Sequence, residues 1–169
     1  MRRLRHGQPG ESQAVCETLA RLLADRPAWR TIATFSPIRG EVDLSPLADR
    51  LPDRHWLYPR VSGDDLTFHL VSDPERDLIP GAFGILEPSP ALPVIAHGLI
   101  DAFLCPGLAF DPRGGRLGRG RGFYDRTLSL ARPNAAKIGV CFPDQLVPDT
   151  FPEDHDIHMD EVVWGNIER

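Results

Sequence analysis

Lysine is almost missing from this chain. Lys137 is the only one in 169 residues, and arginine supplies the rest of the 19 basic side chains. No function follows from that skew. Cysteine is also sparse: Cys16, Cys105 and Cys141 cannot all pair, have no CxxC spacing and sit in apolar stretches. That excludes a disulfide framework and is what buried free thiols in a reducing cytosol would look like. No apolar run approaches the roughly 20 residues of a membrane helix. The basic start, MRRLRHGQPGES, has no apolar segment behind it, so a secretory signal is not expected. What is present is ordinary for one globular domain over residues 1–169: 41% apolar and 25% charged residues. Residues 1–11 are expected to be flexible.

The net charge of −5 argues against a general nucleic-acid binder. The charge is unevenly spread. Residues 111–126 hold five arginines against two aspartates, a local excess of three positive charges, so the rest of the chain carries −8. A basic patch in an acidic protein suits a small anionic ligand.

Ser12 can cap a helix running to about Asp25, with Val15, Leu19, Leu22 and Leu23 on one face. Residues 31–35, 56–58, 66–70, 99–105, 138–142 and 161–164 read as strands. Ser45-Pro46 opens a short helix through Leu51, and residues 124–132 a further one. Residues 73–93, rich in proline and glycine, read mostly as loop with an apolar piece at 83–86. Alternating strands and helices predict an α/β fold: a three-layer domain with a largely parallel central sheet flanked by helices.

The most informative stretch is Asp111-Pro-Arg-Gly-Gly-Arg-Leu-Gly-Arg-Gly-Arg-Gly-Phe-Tyr-Asp-Arg126, between an apolar strand and a helix. Glycine permits close approach of the backbone, successive N–H groups can form an anion nest, and arginine adds forked grips on phosphate oxygens. A Gly-Lys-Ser/Thr is absent, which excludes a Walker A loop, and the spacing is not that of a Rossmann fingerprint. On its own the stretch could also be a solvated loop or an RGG-like RNA contact.

Arg116-Leu-Gly-Arg-Gly-Arg-Gly-Phe-Tyr-Asp-Arg126 resembles the RLGxGxGxYDR signature of the 5-formyltetrahydrofolate cyclo-ligases, also called 5,10-methenyltetrahydrofolate synthetases. Further segments match in order. They are Arg39-Gly-Glu-Val-Asp43, Tyr58-Pro-Arg60, Gly84-Ile-Leu-Glu-Pro88, the stretch 106–111 and two C-terminal blocks at 137–147 and 152–162. The resemblance implies ATP-dependent ring closure of 5-formyltetrahydrofolate to 5,10-methenyltetrahydrofolate with Mg²⁺, by phosphorylation of the formyl oxygen. It implies a cytoplasmic enzyme acting on folate with or without a polyglutamate tail, and needing neither nucleic acid nor membrane. A monomer is expected.

By resemblance, Arg116, Leu117, Gly118, Arg119, Gly120, Arg121, Gly122, Phe123 and Tyr124 hold ATP, with Arg119 and Arg121 as the catalytic charges. Glu41, Arg119, Phe123 and Tyr124 meet the folate, and Asp125 and Asp160 bind Mg²⁺. The family has a lysine and an arginine near its start that contact phosphate; here Arg2 and Arg5 are carried into that role, with no lysine to match. Phe123 stands where the family commonly has a second tyrosine. Glu87 is a weaker candidate and Gln145 a loop-orienting one. Each has a plain alternative: Asp125 a helix-capping acid, Asp160 a strand-entry acid, Glu41 a turn acid, either arginine merely solvent-facing. His155, Asp156, His158 and Asp160 could be read alone as a transition-metal set, but no cysteine or HExxH accompanies them.

Three other functions fit parts of the sequence: a relative that binds nucleotide or folate without turnover, an RGG-type RNA binder, and a sugar-phosphate isomerase on a similar scaffold that would need no ATP.

Overall fold

The computed structural model describes residues 10–165. The chain enters helix α1 (Glu11–Ala24) from Gly10, whose φ of 97° only glycine adopts freely. The helix therefore starts ahead of Ser12. That serine does not cap it; its hydroxyl accepts the Asp43 N–H at 3.1 Å and ties α1 to the loop after the first strand. Glu11, expected to be flexible, is the first helical residue; residues 1–9, with Arg2 and Arg5, lie outside the described residues. Val15, Cys16, Leu19 and Leu23, three and four apart, are buried.

Strand β1 (Thr31–Ala33) is shorter than its apolar run. Helix α2 (Leu47–Arg50) is one turn following Pro46. β2 (His55–Ser62) runs on through Pro59 and pairs with β3 (Asp65–Leu70) in a hairpin. The stretch read as loop contains α3 (Pro74–Asp77), capped by the Asp73 carboxylate on the Glu75 N–H, and a two-stranded sheet of β4 (Leu78–Pro80) and β5 (Leu86–Pro88). β6 (Val94–Ile95) is an edge. β7 (Ala102–Cys105) begins three residues later than expected, because residues 97–99 make a 3₁₀ turn that leaves Leu99 exposed. β8 (Ala109–Phe110) and β9 (Arg116–Leu117) form a small hairpin around the turn 111–115. Then come α4 (Phe123–Ser129), β10 (Ala136–Val140) and β11 (Glu161–Val163).

The central sheet has the order β11-β10-β7-β1-β2-β3-β6. The five strands from β11 to β2 are parallel, and β3 is antiparallel to both its neighbours. Side chains alternate along β7: Ala102 and Leu104 face the α1 layer, Phe103 and Cys105 the α4 layer. Each fully buried Leu, Ile or Phe in these layers contributes roughly 1.5–3 kcal/mol of transfer free energy. All three cysteines are free and buried. Among the described residues no helix is long and apolar enough to cross a membrane.

This order positions the site. Chain continuing from β1 to β2 moves one way across the sheet, whereas β7 and β10 lie on the other side of β1. The segments leaving the carboxyl ends of β1 and β7 therefore diverge and open a crevice, the place where open α/β sheets bind ligands.

Candidate functional site

A cavity of about 630 Å³ occupies that crevice. Ser36, Ile38 and Glu41 reach it from the segment after β1, Pro106 and Gly107 from the segment after β7, and Val61 from the end of β2. The stretch 116–125 forms one wall, so Arg116, Leu117, Gly118, Arg119, Gly120, Arg121, Gly122, Phe123, Tyr124 and Asp125 all line the hollow, opposite Glu41. Gly120 and Gly122 have φ of 91° and 68°, left-handed values that would strain any side chain but glycine's. Arg126 fixes the wall from behind: its guanidinium donates to the Arg121 carbonyl at 2.9 Å and to the Asp64 carbonyl in the β2–β3 turn. Sequence reasoning gave Arg126 no role. Helix α4 has seven residues, so its dipole adds little beside the arginines.

Arg116 is the most informative residue. Its side chain is only 6% exposed. One Nη donates to the Pro106 carbonyl at 2.9 Å, the nearest carboxylate oxygen, on Asp125, is 4.0 Å away, and the buried Nε has no partner. The guanidinium also lies over the Tyr124 ring at 5.4 Å. A buried guanidinium with a bare N–H is costly unless an anion completes it.

Arg119 and Glu41, both placed against the folate by resemblance and Arg119 against ATP as well, meet across the hollow: Nε of Arg119 donates to Oε1 of Glu41 at 3.3 Å. Oε2 accepts the Ile38 N–H at 3.1 Å. Burial raises the Glu41 carboxyl above its ordinary value, against the lowering effects of the Ile38 N–H and Arg119. Burial likewise lifts the Tyr124 phenol well above its ordinary value, with Cys105 and Glu41 adding.

Asp125 is 31% exposed at the cavity wall. Asp160 is not there. It precedes β11 at the amino end of the strands, where its carboxylate accepts the Lys137 N–H at 2.8 Å. The two acids paired by resemblance as metal ligands are thus not brought together on the cavity, because the register of β10 with β11 puts residue 160 at the opposite edge. The His-Asp-x-His-x-Asp set disperses too: His155 and Asp156 line the cavity, and His158 bonds the Arg113 carbonyl at 3.2 Å. Among the described residues no three acids, histidines or cysteines converge on a metal position. Hard Mg²⁺ with phosphate present needs only one or two protein carboxylates, and Asp125 beside the arginine wall fits that donor set.

Glu87 is spoken for: its two oxygens accept the Val61 and Ala82 N–H groups at 2.5 and 2.6 Å, pinning the turn 82–84 to β2. Gln145 accepts the Phe142 N–H and donates to the Gly107 carbonyl at 2.9 Å, holding the segment after β7. Sequence reasoning missed Asp111. Buried, it accepts N–H groups of Arg113, Gly115 and Thr150 and the Thr150 hydroxyl, fastening the turn before the arginine wall to the loop at 150. Burial opposes its ionisation, yet the Thr150 hydroxyl and these N–H groups hold it down at about 2. It also missed Phe83 and Phe151 on the cavity rim.

Residues 4–165 match the model of the 5-formyltetrahydrofolate cyclo-ligase family. The 5-formyltetrahydrofolate cyclo-ligase of Mycolicibacterium smegmatis is 34% identical over 161 residues, covering 91% of this chain and 81% of the relative. The Escherichia coli K12 protein of the same name is 32% identical over 145 residues, covering 79% and 76%. The NMR structure of Aquifex aeolicus 5,10-methenyltetrahydrofolate synthetase superposes with a TM-score of 0.78 at 33% identity, over 90% of this chain and 77% of the other. With its mostly parallel sheet, its arginine-lined crevice and these relatives, the chain belongs to the 5-formyltetrahydrofolate cyclo-ligase family, a family of ligases.

Proposed function

We propose that the chain catalyses ATP-dependent closure of 5-formyltetrahydrofolate to 5,10-methenyltetrahydrofolate, releasing ADP and phosphate. One observation carries this reading: a buried, under-partnered Arg116 continues into Arg119 and Arg121 along a glycine-rich wall that faces a desolvated carboxylate, Glu41, across one cavity. Oriented N–H groups and guanidinium forks suit phosphates. A carboxylate suits the amino and ring N–H donors of a pterin.

The chemistry asks the protein mainly to align two ligands and neutralise charge. The formyl oxygen takes the terminal phosphoryl group, N10 attacks the activated carbon and gives up its proton, and phosphate departs. Arg119 and Arg121 balance charge on the transferring group, and Arg116 anchors phosphate from below. Bound Mg²⁺ would neutralise further phosphate charge, with Asp125 as its protein ligand. No thiolate is called for. None of the three cysteines lines the cavity, and burial raises Cys105 and Cys141 to about 12 and Cys16 to about 11. Three free buried thiols also support a cytoplasmic setting.

The test is the absorbance of the methenyl product with Mg-ATP and 5-formyltetrahydrofolate, wild type beside Arg119→Ala. Wild type forms product only with ATP, and the variant loses at least a factor of about ten, the size of one charged transition-state contact of ~1.4 kcal/mol. Binding of both ligands with no product would instead mark a family relative without turnover.

A further inference from the structure

Phe83 is unexpected on physical grounds. Its ring is 60% exposed, and its backbone sits at φ 59°, ψ 22°, a left-handed conformation that disfavours a bulky residue. Phe151, which lines the same cavity, repeats both features, with φ 53° and 81% exposure. A strained, solvent-facing aromatic that lines a cavity is placed where its ring can meet a ligand. The turn carrying Phe83 is held rigidly, because Glu87 accepts the Ala82 N–H at its start.

At present the ring meets Arg121, whose guanidinium carbon stands 4.1 Å from the ring centroid. The Arg121 main chain is fixed by Arg126, so only its side chain spans to the opposite rim. Arg121 lines the cavity with the glycine-rich wall, whereas Phe83 lines that cavity and a neighbouring hollow of about 820 Å³. The ring face under Arg121 therefore looks toward the phosphate-binding side. A guanidinium forked on phosphate oxygens is bound more strongly than one stacked on an exposed ring. Phosphate at the wall draws Arg121 off, and the uncovered face becomes a stacking platform for a flat heteroaromatic ring.

We propose that Arg121 and Phe83 form an exchangeable stack coupling the two ligands of the site: phosphate oxygens take the guanidinium, and the vacated phenyl face takes the flat ring of the folate. This rests on the functional reading above and adds Phe83 as a positioning residue. Coupling of this kind is reciprocal, so each ligand tightens the other by the same factor.

The experiment measures the Kd of a non-hydrolysable Mg-ATP analogue and of 5-formyltetrahydrofolate by calorimetry, each alone and with the other saturating. Wild type, Phe83→Leu and Phe83→Tyr are compared. In wild type each ligand tightens the other by about fivefold or more. Phe83→Leu removes the coupling and weakens folate binding, yet binds the ATP analogue alone about two- to fivefold more tightly, since the guanidinium is no longer shared with a ring. A merely structural wall would not give that gain. Phe83→Tyr keeps the ring and keeps the coupling. The stack is overturned if wild type binds both ligands without coupling, or if Phe83→Leu keeps the coupling or fails to bind the analogue more tightly. A wild type that binds neither ligand removes the functional reading, and the stack with it.

Discussion

The two edges of the central sheet carry charges of opposite character. At the amino edge two carboxylates, Asp101 and Asp160, are saturated. Asp101 accepts the N–H groups of Arg30 and Thr31 at 2.8 Å each and pairs with the Arg132 guanidinium, joining β1, β7 and the end of the α4 segment. Asp160 closes onto Lys137 in the same way. At the carboxyl edge Arg116 has a bare buried Nε, and Glu41 holds one N–H and one arginine contact in a desolvated position. Polar groups of the first kind stabilise strand ends. Those of the second lower stability unless a ligand completes them, as expected of a binding site.

The largest effect should separate the edges cleanly. Arg116→Met keeps length and burial while removing the charge. It should cost kcat/KM about 10²–10³-fold in the methenyl-forming assay. Its melting temperature should hold or rise, since a poorly paired buried charge is gone. Asp101→Asn should do the reverse: a loss of about 1–3 kcal/mol in urea unfolding, with turnover within about twofold of wild type. If Asp101→Asn damages turnover as badly as Arg116→Met at unchanged stability, the division between edges is wrong.

Asp111 sharpens the comparison, because it lies on the cavity side yet is saturated like an amino-edge group. Its folded-state pKa, about 2, lies below the ordinary 3.8. Its contribution is therefore whole above about pH 4 and is lost as pH falls toward about 2. Asp111→Asn should lower stability at pH 7 by about 1–3 kcal/mol and flatten the wild-type loss of stability between about pH 4 and 2, read by urea titrations at each pH.

The parallel sheet and the arginine wall could be read from the chain because their signals are local: alternating or continuous apolar runs, and glycines interleaved with arginines at 118–122. The small β4–β5 sheet could not. Its strands have three residues each, too short for periodicity, and lie among prolines and glycines that read as loop. Leu99 joined the apolar run of β7 by composition alone, while a 3₁₀ turn turns it outward. Asp160 shows the deeper limit. Motif order says that two acids belong to one signature; only strand register says which edge each occupies. Asp111 lay inside a matching segment and Phe83 in an apolar piece, yet neither received a role, since exposure, a left-handed φ and a saturated carboxylate are properties of the folded chain.

The smallest expected effect tests the electrostatics of the carboxyl edge itself. Burial raises the Glu41 carboxyl, and Arg119 works against that rise. As an acid with a raised folded-state pKa, Glu41 is neutralised at a higher pH than a solvated glutamate would be. If its carboxylate form receives pterin N–H donors, folate affinity falls as pH drops through that value. Arg119→Ala removes an opposing charge and exposes burial's full effect, so the acid limb of the folate Kd should move to higher pH in the variant. Glu41→Gln should erase the limb in either background. Calorimetric titrations across the acid range decide it: a limb that stays in place in Arg119→Ala would mean that the 3.3 Å pair is electrostatically silent and that Glu41 is set by its buried main-chain contact to Ile38 alone.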